Sequence, residues 1–152
     1  MKRRVTHSTF VLERHYPSAP EKVFHALSDV EAKKQWFVGP ADWLQTRFEL
    51  DFRVGGREVN VGGPQGGPIS RFDAIYQDIV ADERIIYTYD MHLDDVRISV
   101  SLATFELRSE NGGTRLIFTE QGAYLDGFDD PSLREKGTND LLDALGSSLT
   151  GK

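Results

Sequence analysis

Residues 84–92, Arg-Ile-Ile-Tyr-Thr-Tyr-Asp-Met-His, decide the fold class of this chain. Tyr87, Tyr89 and Met91 alternate with smaller or polar residues, and this period of two is typical of a β-strand with one buried face. Short turn segments flank the stretch on both sides, and connections of that length join antiparallel neighbours. The segment therefore predicts a central strand of an antiparallel sheet.

The same period extends over most of the chain. Segments rich in Gly, Asp and Asn interrupt it, and each is short enough for an antiparallel connection. The predicted strands are residues 9–16, 46–52, 57–61, 70–80, 84–92, 96–109 and 114–121. We therefore expect seven antiparallel strands without a parallel crossover.

Two short helices are predicted between the first and second strands. Ser18 and Glu21 have the spacing of a capping box, with Pro20 in the first turn. A second short amphipathic piece spans about residues 29–37 and ends at a Gly-Pro pair. Together with the strands, these helices place the chain in the α+β class.

A long helix is predicted at the C-terminal end. Ser132 and Glu135 repeat the capping-box spacing. One helical face is marked by Leu133, Leu141, Leu142, Leu145 and Leu149. Gly137 lies on or beside this stripe, which indicates either close packing on strands or room for a ligand.

Composition restricts the class of protein. The chain has 152 residues, of which 39% are hydrophobic, with nine Phe, five Tyr and two Trp, so it is not intrinsically disordered. No apolar run approaches 18 residues, which argues against membrane insertion. A net charge of −6 argues against nucleic acid as a partner, and zero cysteines exclude disulfides and thiolate ligands.

The domain organisation is predicted to be simple. No repeat, linker or low-complexity stretch divides the sequence, so we expect a single domain over residues 1–152, with an ordered core at about 9–149 and a tail at 1–8. The basic start has no apolar segment behind it, which favours a cytoplasmic location over secretion.

Several motifs connect the chain to a known family. They are residues 18–24 (Ser-Ala-Pro-Glu-Lys-Val-Phe), Trp36 before Pro40, residues 49–56 (Glu-Leu-Asp-Phe-Arg-Val-Gly-Gly), residues 78–85 (Asp-Ile-Val-Ala-Asp-Glu-Arg-Ile), residues 119–122 (Thr-Glu-Gln-Gly) and Gly137 with the final leucines. With these motifs, about residues 9–149 resemble the START-like (SRPBCC) helix-grip superfamily. Within it, the chain is similar to the AHSA-type family, which is related to the activator of the 90-kDa heat-shock chaperone ATPase.

The resemblance implies a helix-grip fold, in which a seven-stranded antiparallel sheet bends around the C-terminal helix. Related proteins bind lipids, hormones, polyketides or other apolar molecules in the cavity between them. No catalytic motif defines the family, so no catalytic residue can be transferred.

The aromatic residues are the candidate lining of such a cavity. On alternate strand positions they form either a packed core or the wall of a pocket. The candidates are Trp36, Phe48, Phe72, Tyr76, Tyr87, Tyr89, Met91, Phe105, Phe118, Tyr124, Phe128, Leu141 and Leu145.

The sharpest local motif is interpreted as structural. Asp51 and Arg53 are two apart on a strand, so they share a face and can pair, and Gly55 and Gly56 allow a tight turn. The four histidines lack metal-ligand spacing, so neither a metal nor a cofactor is predicted.

Three functions remain open from the sequence. The first is non-enzymatic binding of a small hydrophobic or amphipathic molecule. The second is a chaperone-interacting module, as the family resemblance implies. Self-association is a separate expectation, since long strands could meet in a homodimer. The third is a cyclase or hydratase type of enzyme that would use Tyr87, Tyr89, Asp90 or Arg97 as polar cavity groups.

Overall fold

The computed structural model describes residues 2–150 and contains seven strands and three helices in that range. The strands are β1 (Val5–Tyr16), β2 (Trp43–Leu50), β3 (Arg57–Pro64), β4 (Ser70–Val80), β5 (Arg84–Leu93), β6 (Val96–Glu110) and β7 (Gly113–Leu125). The helices are α1 (Pro20–Ser28), α2 (Val30–Lys33) and α3 (Pro131–Leu149). The predicted α+β class and the helix-grip fold are confirmed.

All strands form one antiparallel sheet in the order β1-β7-β6-β5-β4-β3-β2. Because β2 to β7 pair consecutively, short turns connect them, and β1 closes the order beside β7. The two short helices connect β1 to β2, which lie at opposite edges of the sheet.

One face of the sheet is buried. On β5, Ile85, Tyr87 and Tyr89 are buried, and on β6 the inward positions include Ala103 and Phe105. The period of two in the sequence therefore corresponds to one inward face. The α3 helix packs against this face through Leu142, Leu145 and Leu149, which join the same core.

Several strands extend beyond their predicted ends, and β1 and β7 do so by the most residues. Strand β1 begins at Val5, so residues 5–8 pair with the end of β7 and are not part of a tail. Residues 6–8 are all polar, so they lack the apolar–polar alternation that predicts a strand. Their pairing also requires β7 to continue to Leu125, four residues beyond its predicted end. Asp126 fixes this end by accepting from the Arg4 backbone N–H at 3.0 Å.

Both predicted capping boxes are wrong. The N-cap of α1 is Ala19, which makes no side-chain cap, and α2 is a single turn of four residues. At α3 the cap is Asp130, whose carboxylate accepts from the Ser132 N–H at 2.9 Å. An Asp directly before Pro provides the capping oxygen two residues earlier than the predicted Ser-x-x-Glu spacing.

The Asp51-to-Gly56 motif forms a tight turn after β2. Arg53 Nε donates to Asp51 Oδ2 at 2.9 Å, and both side chains are exposed. Gly55 has φ of +82°, and a Cβ on Gly56 would lie 2.0 Å from the Asp51 carbonyl oxygen. The turn backbone bonds to β4 through Gly55 N–H to the Tyr76 carbonyl at 2.8 Å. The backbone geometry therefore depends on Gly56.

We predict that Gly56→Ala lowers the free energy of unfolding by about 2 kcal/mol or more, because backbone atoms would have to move. The matched variants Asp51→Asn and Arg53→Gln should change it by less than about 0.5 kcal/mol, since exposed ion pairs contribute little. Urea unfolding of the three variants measures both effects. A larger loss from the charge variants would show that the ion pair, not the turn, is the structural element.

Candidate ligand cavity

A cavity of about 780 Å³ lies between the inward face of the sheet and α3. Aromatic rings from β4, β5, β6 and β7 form its wall. Phe72 and Tyr89 have ring centroids 4.7 Å apart, as do Phe105 and Phe118. Leu141 and Leu142 approach from the helix side. The lining is thus predominantly apolar, and the helix forms its cover.

The structure places eight of the thirteen candidate residues along the cavity. They are Trp36, Phe72, Tyr87, Tyr89, Met91, Phe105, Phe118 and Leu141. The other five lie elsewhere and are Phe48, Tyr76, Tyr124, Phe128 and Leu145.

Each of these five has a different position from the one expected. Tyr76, Tyr124 and Leu145 are buried within the protein core. Phe48 is half-buried on β2 and packs on Phe37, with ring centroids 6.3 Å apart. Phe128 lies on the connector before α3 and is 41% exposed. Period two and apolar character select inward residues, but they do not distinguish a residue that fills the core from one beside empty space.

A buried cluster, here called the lysine cluster, consists of Lys33, Glu58 and Tyr76. Lys33 lines the cavity, and its Nζ donates to Glu58 Oε1 at 2.7 Å. The Tyr76 hydroxyl donates to the same oxygen at 2.5 Å. Lys33 is 4% exposed and Glu58 is fully buried. Burial, reinforced by the Glu58 charge, raises the Tyr76 pKa well above its ordinary value, so its hydroxyl stays protonated.

A second cluster, here called the glutamate cluster, consists of Glu120, Tyr89, Arg134, Ser99 and Asp129. The Tyr89 hydroxyl donates to Glu120 Oε2 at 2.9 Å, and Arg134 Nη1 donates to the Tyr89 hydroxyl at 2.8 Å. Arg134 Nη2 donates to Ser99 Oγ at 2.9 Å and to Asp129 Oδ2 at 2.5 Å. Glu120, Tyr89 and Arg134 all line the cavity. An ordered polar network therefore borders the apolar space.

Sequence reasoning missed Lys33, Glu58, Glu120 and Arg134. A signal was present for Glu120, because it follows Leu116 and Phe118 at the inward period of β7. An acidic residue at an apolar position of a strand indicates a buried carboxyl. Arg134 was detectable too, since a cation in the first turn of a helix opposes the helix dipole and needs another reason to be there.

The Glu120 carboxyl has a raised pKa. Burial disfavours its ionised form, and this outweighs the opposite effects of Arg134 and of the Tyr89 hydroxyl. Nη1 of Arg134 is 3.7 Å from Glu120 Oε2, which is too far for a close ion pair, and the guanidinium is shared with Asp129. Glu120 can therefore hold a proton at higher pH than an exposed glutamate.

The Tyr87 hydroxyl differs from those of its two neighbours. Tyr87 is 8% exposed and lines the cavity between the two clusters. Within residues 2–150 no group forms a hydrogen bond with its hydroxyl. Burial raises its pKa well above the ordinary value, so it remains a neutral donor. Its hydrogen-bonding capacity is available to a molecule in the cavity.

Asp90 and Arg97, the other two polar residues considered for catalysis, lie outside the cavity. Asp90 alternates with the inward tyrosines of β5, so the strand period places it on the outer face. There it faces Arg97 at 3.6 Å as a partly exposed pair. Across the described residues, no three His, Asp or Glu side chains converge as metal ligands would.

The mouth of the cavity has an exposed apolar rim. Val38, Trp43 and Leu44, which lie between α2 and β3, line one part of it, and Leu133 at the start of α3 lines another. Their exposed fractions range from 36% for Trp43 to 63% for Leu133. This part of the mouth offers apolar surface to an entering molecule, while Lys33, Arg134 and Asp140 also line the cavity. No helix in the described range is long and apolar enough to cross a membrane.

Comparison with known proteins agrees with this architecture. The family model of the activator of Hsp90 ATPase homolog 1-like proteins matches residues 17–150. The chain belongs to this family. An uncharacterised protein from Rhizobium leguminosarum is 43% identical over 100% of both chains, with a TM-score of 0.95.

Two other solved structures differ in their sequence identity to this chain. The Mll3558 protein from Rhizobium loti is 46% identical over 95% of this chain and 99% of its own, with a TM-score of 0.89. An AHSA1-like protein from Aeromonas hydrophila is 21% identical over 95% and 93%, with a TM-score of 0.71, and shows the shared fold alone. The comparison with curated proteins found no match.

We predict that Glu120→Gln changes the pH dependence of stability. The folded-state pKa of Glu120 is raised, so its protonation stabilises the folded protein below the ordinary carboxyl pKa, and this contribution is lost as the pH rises through the raised value. The neighbouring charges of Arg134 and Asp129 are unchanged in the variant. The free energy of unfolding of Glu120→Gln minus that of the wild type should therefore increase from about pH 4 to about pH 8.

Urea unfolding across this pH range provides the measurement. Glu49→Gln on β2 is the control: the hydrogen bond from Arg47 lowers the pKa of the exposed Glu49 carboxyl, so its difference should not increase with pH. A difference that is flat or decreases with pH would contradict a raised Glu120 pKa.

Proposed function

We propose that this protein binds a small amphipathic molecule in the cavity between the sheet and α3. The supporting observation is the cavity itself, whose volume of about 780 Å³ lies within the range of small-molecule sites. An apolar wall with a few fixed polar groups is also typical of such sites. Membership of the family supports the fold but does not identify a ligand.

The position of α3 supports binding over a purely structural role. Gly137 borders the cavity, and a Cβ there would meet no atom of residues 2–150 within 4 Å. Gly137 is therefore not explained by close packing on strands, which was one of its two interpretations. The apolar rim provides a route of entry, and the aromatic wall provides the area that an apolar ligand would bury.

We predict that ligands of the right class raise the melting temperature. A screen of fatty acids, sterols, planar polyphenols and aromatic polyketides, each at about one hundred times its dissociation constant, would add about 2.7 kcal/mol, or roughly 5 to 10 °C. Trp36 and Trp43 both line the cavity, so bound ligand should also change tryptophan fluorescence.

Gly137→Phe tests whether binding is at this site. The side chain enters open space at the cavity, so the protein should stay folded while the ligand-induced shift decreases. Lys136→Phe adds the same ring at the adjacent exposed position and should keep the full shift. No shift with any probe would contradict the proposal, and an equal shift in both variants would place binding elsewhere.

The glutamate cluster favours an enzyme of the cyclase or hydratase type as a second candidate function. Glu120, as carboxylate, would remove a proton from a carbon next to a ligand carbonyl, and the electron pair would move to the carbonyl oxygen. Arg134, which lines the cavity beside Glu120, would donate a hydrogen bond to that oxygen. Return of a proton from Glu120 to carbon would restore the ketone.

In D₂O, this chemistry predicts deuterium exchange at the carbon next to the carbonyl of a bound aromatic ketone. Proton NMR would record the loss of the C–H signal over time. Glu120→Gln should abolish the enzyme-dependent exchange, and Arg134→Met should slow it by about tenfold or more. Exchange that is equal with wild type and Glu120→Gln would exclude Glu120 as the base.

A further inference from the structure

The two polar clusters lie at a defined separation across the sheet. Glu120 on β7 pairs with Ala103, Ala103 pairs with Tyr87, and Tyr87 pairs with Tyr76, so these four residues form one row across four strands. Adjacent strands are about 4.8 Å apart, so Glu120 and Tyr76 are separated by about 14 Å along the sheet. The cavity therefore has a polar group towards each side of its aromatic wall.

The lysine cluster presents one donor group to the cavity, the Lys33 ammonium, because Glu58 and Tyr76 are not part of the cavity lining. An ammonium group has three hydrogens and no acceptor. Lys33 Nζ donates to Glu58 and lies 3.5 Å from the Tyr76 hydroxyl, while the Phe37 ring centroid is 4.7 Å away. The Tyr87 ring lies beside that of Tyr76, with centroids 5.8 Å apart, and its hydroxyl also needs a partner. A hydrogen-bond acceptor on a ligand would satisfy these groups.

The glutamate cluster presents a carboxyl oxygen instead. Oε2 of Glu120 is occupied by the Tyr89 hydroxyl, whereas Oε1 has no hydrogen-bond partner in the described part of the chain. Glu120 is 2% exposed and lines the cavity. A ligand hydroxyl suits this oxygen in either protonation state, because a hydroxyl can donate to a carboxylate or accept from a carboxylic acid.

The wall between the two clusters suits an aromatic body. Phe72, Tyr87, Phe105 and Phe118 line it, and neighbouring rings are tilted or edge-on at 4.7 to 6.3 Å. Aromatic pairs prefer such offset and edge-to-face geometries. A flat unsaturated ligand would extend this packing, and its length would span the two clusters.

We propose that the cavity selects a flat aromatic molecule with a hydroxyl at one end and an acceptor, carboxylate or carbonyl, at the other. The hydroxyl bonds to Glu120 Oε1, and the acceptor bonds to the Lys33 ammonium and the Tyr87 hydroxyl. This assignment of ligand class rests on the proposed binding function, and it makes Glu120, Lys33 and Tyr87 the residues that determine specificity.

Four rigid probes test the assignment: trans-stilbene, 4-hydroxystilbene, stilbene-4-carboxylate and 4′-hydroxystilbene-4-carboxylate. Dissociation constants follow from quenching of tryptophan fluorescence. Each added group should strengthen binding by about tenfold over the parent, and the doubly substituted probe should bind most tightly. Equal dissociation constants for all four would overturn the assignment while leaving the binding function intact.

Variants assign each end to its residues. Tyr87→Phe, and separately the double variant Lys33→Met with Glu58→Gln, should weaken the carboxylate probe by about tenfold and leave 4-hydroxystilbene unchanged. The double variant removes both charges together and so leaves no unpaired buried carboxylate. Glu120→Met should weaken 4-hydroxystilbene and leave the carboxylate probe unchanged. In this variant Arg134 still has Asp129 as its partner.

Tyr124→Phe is the matched control, because it removes a hydroxyl from a buried tyrosine outside the cavity lining. It should bind all four probes as the wild type does. Variants that weaken every probe equally would show a structural effect and overturn the assignment. Failure of all four stilbenes together with the wider ligand screen would overturn the binding function itself.

Discussion

The structure depends on one geometric constraint: a single long helix cannot cover a seven-stranded sheet. An α-helix with side chains is about 10 to 12 Å wide, whereas strands are about 4.8 Å apart, so α3 covers roughly two strands. The α3 leucines join the core near β1, and the short helices cover further area. Inward side chains of the remaining strands must fill the rest or border empty space. The cavity, its aromatic wall and its exposed rim lie where the helices leave the inward face of the sheet uncovered.

Buried charge at the edges of this cavity cannot be explained by stability alone. Replacing a buried ion pair by apolar residues is often neutral or stabilising. Lys33 and Glu58 form such a pair, and Glu120 is a second buried carboxyl, with Arg134 at 3.7 Å. Departures from the apolar pattern of a core are typical of functional sites. Because cavity-lining members of both clusters border the empty space, the clusters support the proposed ligand site.

The sequence predicted the sheet well because strand periodicity is a local property. Tyr87 and Phe105 are inward as expected, and β4 has the predicted bounds. Cavity lining is different, because it depends on the gap between α3 and the sheet. Tyr124 and Leu145 satisfy the same pattern as the lining residues but fill the core. Glu120 was not predicted as a site residue, because a charged residue on a strand is normally assigned to the exposed face.

The overlooked carboxylates also decide what the tyrosines can do. Tyr76, Tyr87 and Tyr89 are buried residues of one type on two adjacent strands, and from sequence they are equivalent. Glu58 accepts from the first and Glu120 accepts from the third, so both hydroxyls are held within the protein. Tyr87 lies between them, and no carboxylate in the described part of the chain accepts from its hydroxyl. Because two inward carboxylates fix its neighbours, the hydroxyl that remains available is at the centre of the aromatic wall, where a bound molecule would meet it.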